Sequence, residues 1–409
     1  MIPRTGFSRK FAAISIPFGS VNDSVRTDGG RIRLPAGTAH YMEHCIFSKD
    51  ENGGLLSRLS SMGANANAYT SFDHTMYYFT SSENFSEILD VYAKAVMEPY
   101  LGQDRIDAER DIIIQELKMY KDNPDSRAFN ELTSNLYIRH PVRTDIAGSP
   151  DSVRRIRPGH LNAIKDTRYS PSSAILTICG EVGESDIPDL SGFSPLKAGD
   201  LTAGTLRNEG VSEPYEVRSH GSVLKMDVAV QSFLVGYKNR DIRSVMALPE
   251  KRYLLYKKRM DILLDTLFGE TSEAYEWLLN QGLINDSFGF SSVNVRDASF
   301  TVFGGESHEP ERAANEFRRL LKEAVAKGPD SRLRNDFCLK LRMGAGDFMR
   351  SLDHIDSMGM HQARLALHGL DIFEYFDIYD NIDIDEAFAD LKAAFDDDSS
   401  TAVFVLRKG

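Results

Sequence analysis

The segment Gly37-Thr38-Ala39-His40-Tyr41-Met42-Glu43-His44 carries two histidines four residues apart, with a glutamate three after the first. On an α-helix, positions i, i+3 and i+4 share a face, so both imidazoles and one carboxylate open into the same small volume. A catalytic zinc ion calls for this arrangement: neutral nitrogen donors at a fixed separation and a base beside an attacking water. The order H-x-x-E-H reverses the H-E-x-x-H of other zinc sites. Taken alone, the pattern also describes a helix surface with two histidines and an acid, and a third ligand has to separate the two readings.

Two helices must position these groups. Pro35 and Gly37 open the first, which is expected to run through Phe47. The other strong helical stretch is Arg105 to Tyr120, stopped by Asp122-Asn123-Pro124. In it Glu109, Ile112, Ile113 and Glu116 fall at i, i+3, i+4 and i+7, so two carboxylates share a stripe that two isoleucines mark as buried. A buried carboxylate is costly unless it is paired or binds a metal. With both helices together, His40, His44 and Glu116 form the three-ligand open site of one catalytic Zn2+ per chain. Glu43 is then the candidate general base. Glu109, two turns before Glu116, can hydrogen-bond a ligand histidine or the water. The eight other histidines lack this spacing and read as surface or core.

The rest of the first half supplies strands and further helices. Phe11–Gly19 reads as a buried strand, Asn65–Ser71 and Thr75–Ser81 as a strand pair, and Leu55–Met62 and Ser86–Met97 as helices. Residues 182–211, rich in Gly, Pro, Ser and Asp, read as a linker. The second half then echoes the first: a strand over Val228–Tyr237, a helix over Arg252–Phe268, a short helix ending near Gly282, and a strand pair over Ser287–Val293 and Phe300–Phe303. The expectation is an α+β chain of two homologous α/β domains, residues 1–190 and 216–409, joined by a linker over 191–215. Each domain would be a mostly antiparallel sheet with helices packed on it. The second copy has no His–Glu set in its corresponding helix.

Composition restricts the function classes. The chain has 409 residues, 42% hydrophobic and 26% charged, an ordinary balance for a globular protein. A net charge of −12 argues against nucleic acid or an anionic membrane as partner. Three cysteines at long spacings, with no C-x-x-C, argue against a disulfide framework and fit a reducing compartment. Cys45, beside His44, reads as a buried thiol rather than a ligand, because adjacent helical positions diverge by about 100°. There is no signal-peptide pattern and no apolar stretch near the ~20 residues of a membrane span, so cytoplasm is the expected location.

His40-Tyr41-Met42-Glu43-His44, followed 72 residues after His44 by Glu116, resembles the pitrilysin–insulinase–mitochondrial processing peptidase family. Asn67-Ala68-Tyr69-Thr70 with Thr75-Met76-Tyr77, Glu98-Pro99-Tyr100, and Glu109 through Glu116 with Pro124 after it carry the resemblance further. The nearest subgroup is the short bacterial processing-peptidase-like proteins. The resemblance implies a zinc metalloendopeptidase of the inverzincin type acting on short unstructured peptides. It also implies half of a clamshell that closes into a chamber with a second chain. Substrate would bind as an added β-strand along Asn65–Thr70, with Asn67, Ala68, Tyr69 and Thr70 as the substrate-binding residues.

Two departures from the family pattern bear on function. Family members carry an additional strand before the segment that begins here at Gly6. Active clamshells also take an Arg and a Tyr from the second domain of the partnering half, whereas here Asn280 stands in the Arg position and Asn285 or Phe288 in that of the Tyr. The expected partner is therefore a homologous zinc-less subunit that supplies Arg and Tyr, with a homodimer as the option in isolation. A non-catalytic or weakly active subunit of such a peptidase or of an assembly complex is the alternative. The intact His40, Glu43, His44 and Glu116 argue against a decayed subunit.

Overall fold

The computed structural model describes residues 1–47, 54–187, 212–295 and 297–408. They form two compact units: residues 1–47, 54–119, 145–187 and 349–372 in the first, and 120–144, 212–295, 297–348 and 373–408 in the second. The protein is α+β, with one five-stranded mixed sheet in each unit.

The first sheet contains β1 (Ile2–Pro3), β2 (Lys10–Ile16), β5 (Ala64–Thr70), β6 (Thr75–Ser81) and β7 (Ile175–Gly180) in the order β1-β7-β2-β6-β5. Between β2 and β5 lies a small hairpin, β3 (Ser24–Thr27) and β4 (Gly30–Arg33), in a stretch the sequence presents only as polar loop. The second sheet contains β8 (Gly221–Met226), β9 (Ser232–Lys238), β10 (Gly289–Val295), β11 (Ala298–Glu306) and β12 (Ser400–Arg407) in the order β10-β11-β9-β12-β8. Element by element the two sheets agree. In each, one edge pair is parallel (β1 with β7, β8 with β12) and every other pair is antiparallel. The internal repeat is therefore one of topology as well as pattern.

The continuous apolar run of β2 follows from its place inside the first sheet, where Phe11 to Ile16 are all buried. One face of that sheet packs Ala12, Ile14, Tyr77 and Phe79 against α1 (Thr38–Phe47), α2 (Gly54–Ser61) and α3 (Phe85–Met97). The opposite face receives the helix Ile355–Ala366, which lies over β2 and β7. Gly359 permits that approach, since a Cβ there would sit 2.2 Å from the Phe11 ring. The second sheet is covered in part by α5 (Pro124–Leu136), on β9 and β12. The chain thus places two helices with the sheet more distant in sequence. Both are amphipathic, and helical periodicity shows that a face is buried without showing against which sheet. The expected linker lies largely outside the described residues.

The helix that follows α3, α4 (Gln103–Asp122), corrects the stripe read from the sequence. Glu109, Ile113, Ile114 and Leu117 are buried, whereas Ile112 is 54% exposed. At 100° per residue, Glu109, Ile113 and Glu116 lie within about 60° of one another. Ile112 falls on the far side of Glu109 from Ile113 and Leu117, and there it leaves the core. Asn123 ends α4 and caps α5, its side chain accepting from the Ser126 N–H at 2.9 Å with Pro124 in the first turn.

Candidate metal centre and peptide-binding edge

Helix α1 has two working faces. Tyr41, Met42, Cys45 and Ile46 point into the core, and His40, Glu43 and His44 remain partly exposed on the other side. Its start is fixed by a glycine: Gly37 has φ 88° and lies where a Cβ would stand 2.3 Å from the Ala147 carbonyl oxygen. Its middle is fixed by Tyr41, whose buried hydroxyl donates to the Ile106 carbonyl of α4. These anchors set the distance between the helix that bears the histidines and the helix that bears the acids.

His40, His44 and Glu116 converge, with one potential ligand atom from each lying within 4.8 Å of the others. Among the described residues this is the group of His, Cys, Asp or Glu side chains able to hold a metal ion. His44 Nε2 lies 3.2 Å from one Glu116 oxygen and His40 Nε2 3.9 Å from the other. The far nitrogen of His44, Nδ1, is 3.3 Å from Glu109 Oε2, and the Glu109 side chain is only 6% exposed. A buried carboxylate behind a histidine fixes which nitrogen carries the proton and aims the other outward. Tetrahedral zinc at ~2.0–2.2 Å from each ligand holds its donors about 3.3–3.5 Å apart. Two nitrogens and a carboxylate 3.2 and 3.9 Å from them are the donor types that ion takes, and small side-chain adjustments bring them to that spacing.

Charge is distributed unevenly over the centre. Burial, together with the neighbouring His44, lowers the pKa of His40 to about 4, so its imidazole is neutral. Burial also disfavours the imidazolium of His44, but the Glu109 and Glu116 carboxylates outweigh it and raise that pKa to about 9. Burial pushes Glu43 above the usual carboxylate range, opposed by the hydrogen bond from Thr70. Cys45 is fully buried, as expected of a core thiol, and burial pushes its thiol up to about 12.

Thr70 connects the centre to the sheet. Its hydroxyl donates to Glu43 Oε2, and it is the last residue of β5. Among the described residues, strand β5 pairs with β6 and has no strand on its other side, so Asn67, Ala68, Tyr69 and Thr70 line an open sheet edge that ends at Glu43. Along it Ala64, Ala66, Ala68 and Thr70 face α1 and α2, where small side chains allow the helices to approach. The Ala68 N–H is taken by the adjacent Asn67 Oδ1 at 2.8 Å, so it lies outside the ladder to β6.

Sequence reasoning did not anticipate the Thr70–Glu43 contact or a role for His74. His74 Nδ1 lies 2.7 Å from Asp73 Oδ1 and its Nε2 3.1 Å from the Tyr69 hydroxyl, forming an Asp–His–Tyr chain at the end of β5. The Asp-His dipeptide in the turn after Thr70 was the available signal. In the second unit Asn280 is exposed at the end of a short helix, and Asn285 hydrogen-bonds Glu306 at 2.9 Å. Tyr275 and Phe288 are buried in packing.

Residues 11–149 match the family model described as insulinase (peptidase family M16). Over those residues the chain is similar to the insulinase family. A relative spanning most of this chain is the zinc protease YmfH of Bacillus subtilis, 29% identical over 94% of this chain and 89% of its own. The human mitochondrial-processing peptidase subunit beta is 27% identical over a shorter stretch, 38% of this chain and 33% of its own. Among solved structures, an M16-like peptidase from Alicyclobacillus acidocaldarius superposes with a TM-score of 0.89 at 27% identity, covering 99% of this chain and 95% of its own. No described helix of the chain is long and apolar enough to cross a membrane.

Proposed function

We propose that this chain is a zinc metalloendopeptidase that cleaves short unstructured peptides bound as an added strand on β5. The observation that carries the proposal is the hydrogen bond from Thr70, at the end of the open edge strand, to Glu43 beside the His40–His44–Glu116 cluster. A backbone laid along β5 is led by its own hydrogen bonds to the base and the ligand set, which gives affinity without demanding a sequence. The names of the relatives, a zinc protease and a processing peptidase subunit, agree with this reading.

His40, His44 and Glu116 would hold the ion, and Glu109 would keep His44 in the tautomer that offers Nε2. Bound there, zinc supplies Lewis acidity, which favours a nucleophilic water near neutral pH and polarises the peptide carbonyl. Glu43 accepts the proton of the attacking water and returns it to the leaving amine. The raised affinity of Glu43 for protons suits that exchange. Thr70 holds Glu43 in place and ties its position to that of the peptide.

Asn280, in place of the expected Arg, supports a division of labour between two chains. The zinc-bearing chain supplies ligands and base, and a homologous zinc-less partner supplies the Arg and Tyr that steady the developing oxyanion. The same observation supports the second reading, a weakly active or non-catalytic subunit. Zinc content and peptide cleavage by wild type and Glu43→Gln separate the two. Glu43→Gln should retain zinc and lose cleavage by about 10²–10⁴-fold. Cleavage that persists in this variant overturns the base assignment, and wild type inactive with and without a partner establishes the second reading.

A further inference from the structure

The face of the first sheet turned away from α1 holds a groove that the reaction above does not use. On β5, Asn65, Asn67 and Tyr69 alternate with the residues facing α1 and so project to this side. Asn65 and Asn67, together with Tyr78 and Thr80 of β6 and the helix Ile355–Ala366, border a groove of about 450 Å³ at the open edge of the sheet, and Tyr69 stands beside it against Arg364. Its polar lining includes His361 and Arg364 from the helix.

The charges there do not balance. Asp356, also in the lining, lies 3.4 Å from Arg9 Nη2 and is compensated by it. Arg364 has no carboxylate within ion-pair distance among the described residues. Its Nε is 3.4 Å from the Tyr69 hydroxyl, and its guanidinium stands 6.0 Å from the centre of the Tyr69 ring. Tyr69 is itself held by His74 at 3.1 Å, and His74 by Asp73 at 2.7 Å. An exposed cation is thus steadied beside the strand edge by an aromatic ring whose hydroxyl is already engaged.

A strand added to β5 alternates as β5 does, so every second side chain of a bound peptide lies over this groove while those between face α1. We infer that the groove selects acidic side chains at alternate substrate positions. Arg364 is the specificity-determining residue, and Tyr69, backed by His74 and Asp73, positions it. The inference rests on the β5-edge reading of substrate binding and is independent of whether bound peptide is cut.

Labelled peptides of one length, with Glu, Gln or Lys at either the odd or the even positions, test it when titrated by fluorescence anisotropy into zinc-loaded Glu43→Gln protein. For one parity only, the Glu series should bind about 5-fold more tightly than the Lys series, the scale of a partly exposed ion pair. Arg364→Glu should invert that preference, Arg364→Lys should keep it, and Tyr69→Phe should narrow the Glu-to-Lys ratio. Equal affinities at both parities, a preference that survives Arg364→Glu, or no peptide binding overturns the inference. An intact preference in binding, with no cleavage by wild type under any condition, counts against the peptidase reading alone.

Discussion

His40 and His44 are one helical turn apart and sit in opposite electrostatic surroundings. His40 is neutral through burial, while His44 is held as imidazolium by two carboxylates up to about pH 9. Its folded-state pKa is raised, so this ion-pair stabilisation of the metal-free chain is complete below the ordinary histidine value and is lost as pH rises through about 9. A metal ligated by His44 Nε2 must displace that proton. Zinc affinity should therefore climb by about tenfold per pH unit toward pH 9, with about one proton released per ion near pH 7.5. Calorimetry in buffers of different ionisation enthalpy measures the release, and its absence removes His44 from the ligand set. Glu109→Gln should weaken zinc binding by about 10–100-fold, the scale for a group that orients a ligand histidine, while leaving the fold's circular dichroism unchanged.

At the scale of the element, the proposed peptide site depends on the open edge of β5. Ala68→Pro removes an N–H that lies outside the ladder to β6, so the sheet should survive and an added strand should lose a hydrogen bond and meet the ring. Peptide kcat/KM should fall by at least about tenfold with zinc content unchanged, and an unaltered rate would exclude strand addition there. Gly37→Ala should lower the thermal midpoint, with a loss exceeding about 1 kcal/mol, because it combines positive φ with a clash against Ala147. Much at this scale was legible in the sequence. β6 spans the stretch expected, and α1 carries His40, Glu43 and His44 on one helix as expected. Glu116 was legible because buried apolar neighbours make a carboxylate conspicuous. Ile112 shows where that reasoning fails: with apolar residues at three successive positions, 112 to 114, spacing alone does not centre the stripe. Asn67 and Tyr69 were legible as edge residues through family likeness, but the groove beneath them was not, because its other wall comes from residues nearly three hundred positions later.

For the whole molecule, the expected gap in function and the stability of the fold lie in the second unit. If Asn280 marks missing transition-state groups, mixing with a homologous zinc-less chain that carries the Arg and Tyr should raise turnover by about 10²–10³-fold. An unchanged rate with a demonstrated complex would refute the division of labour. The same unit carries a pH-sensitive brace. Glu213 accepts from the backbone N–H groups of Ile138, Arg139 and His140 at 2.8–2.9 Å and pairs with Lys238 at 2.7 Å. Burial opposes its charge, but these donors hold its pKa below the usual carboxylate value. A depressed folded-state pKa gives stability that is present above the unfolded value near 4.5 and lost as pH falls through the folded one. Urea denaturation between pH 3 and 7 should show that loss, and Glu213→Gln should flatten it while costing about 3–5 kcal/mol at neutral pH, where the buried Lys238 loses its ion-pair partner and keeps only the Pro214 and Glu216 carbonyls.

The helix Ile355–Ala366 has one further consequence, in the order of synthesis. It completes the first unit, yet it leaves the ribosome only after most of the second unit has been made. A nascent chain halted before it would display Phe11 and the rest of that sheet face uncovered, along with an unsheltered strand edge, a surface prone to pairing with other chains. The first unit is thus held incomplete during translation until almost the whole polypeptide exists. An amino-terminal fragment that ends at the interdomain segment should therefore be recovered as aggregate or bound to chaperones rather than as a small independent enzyme.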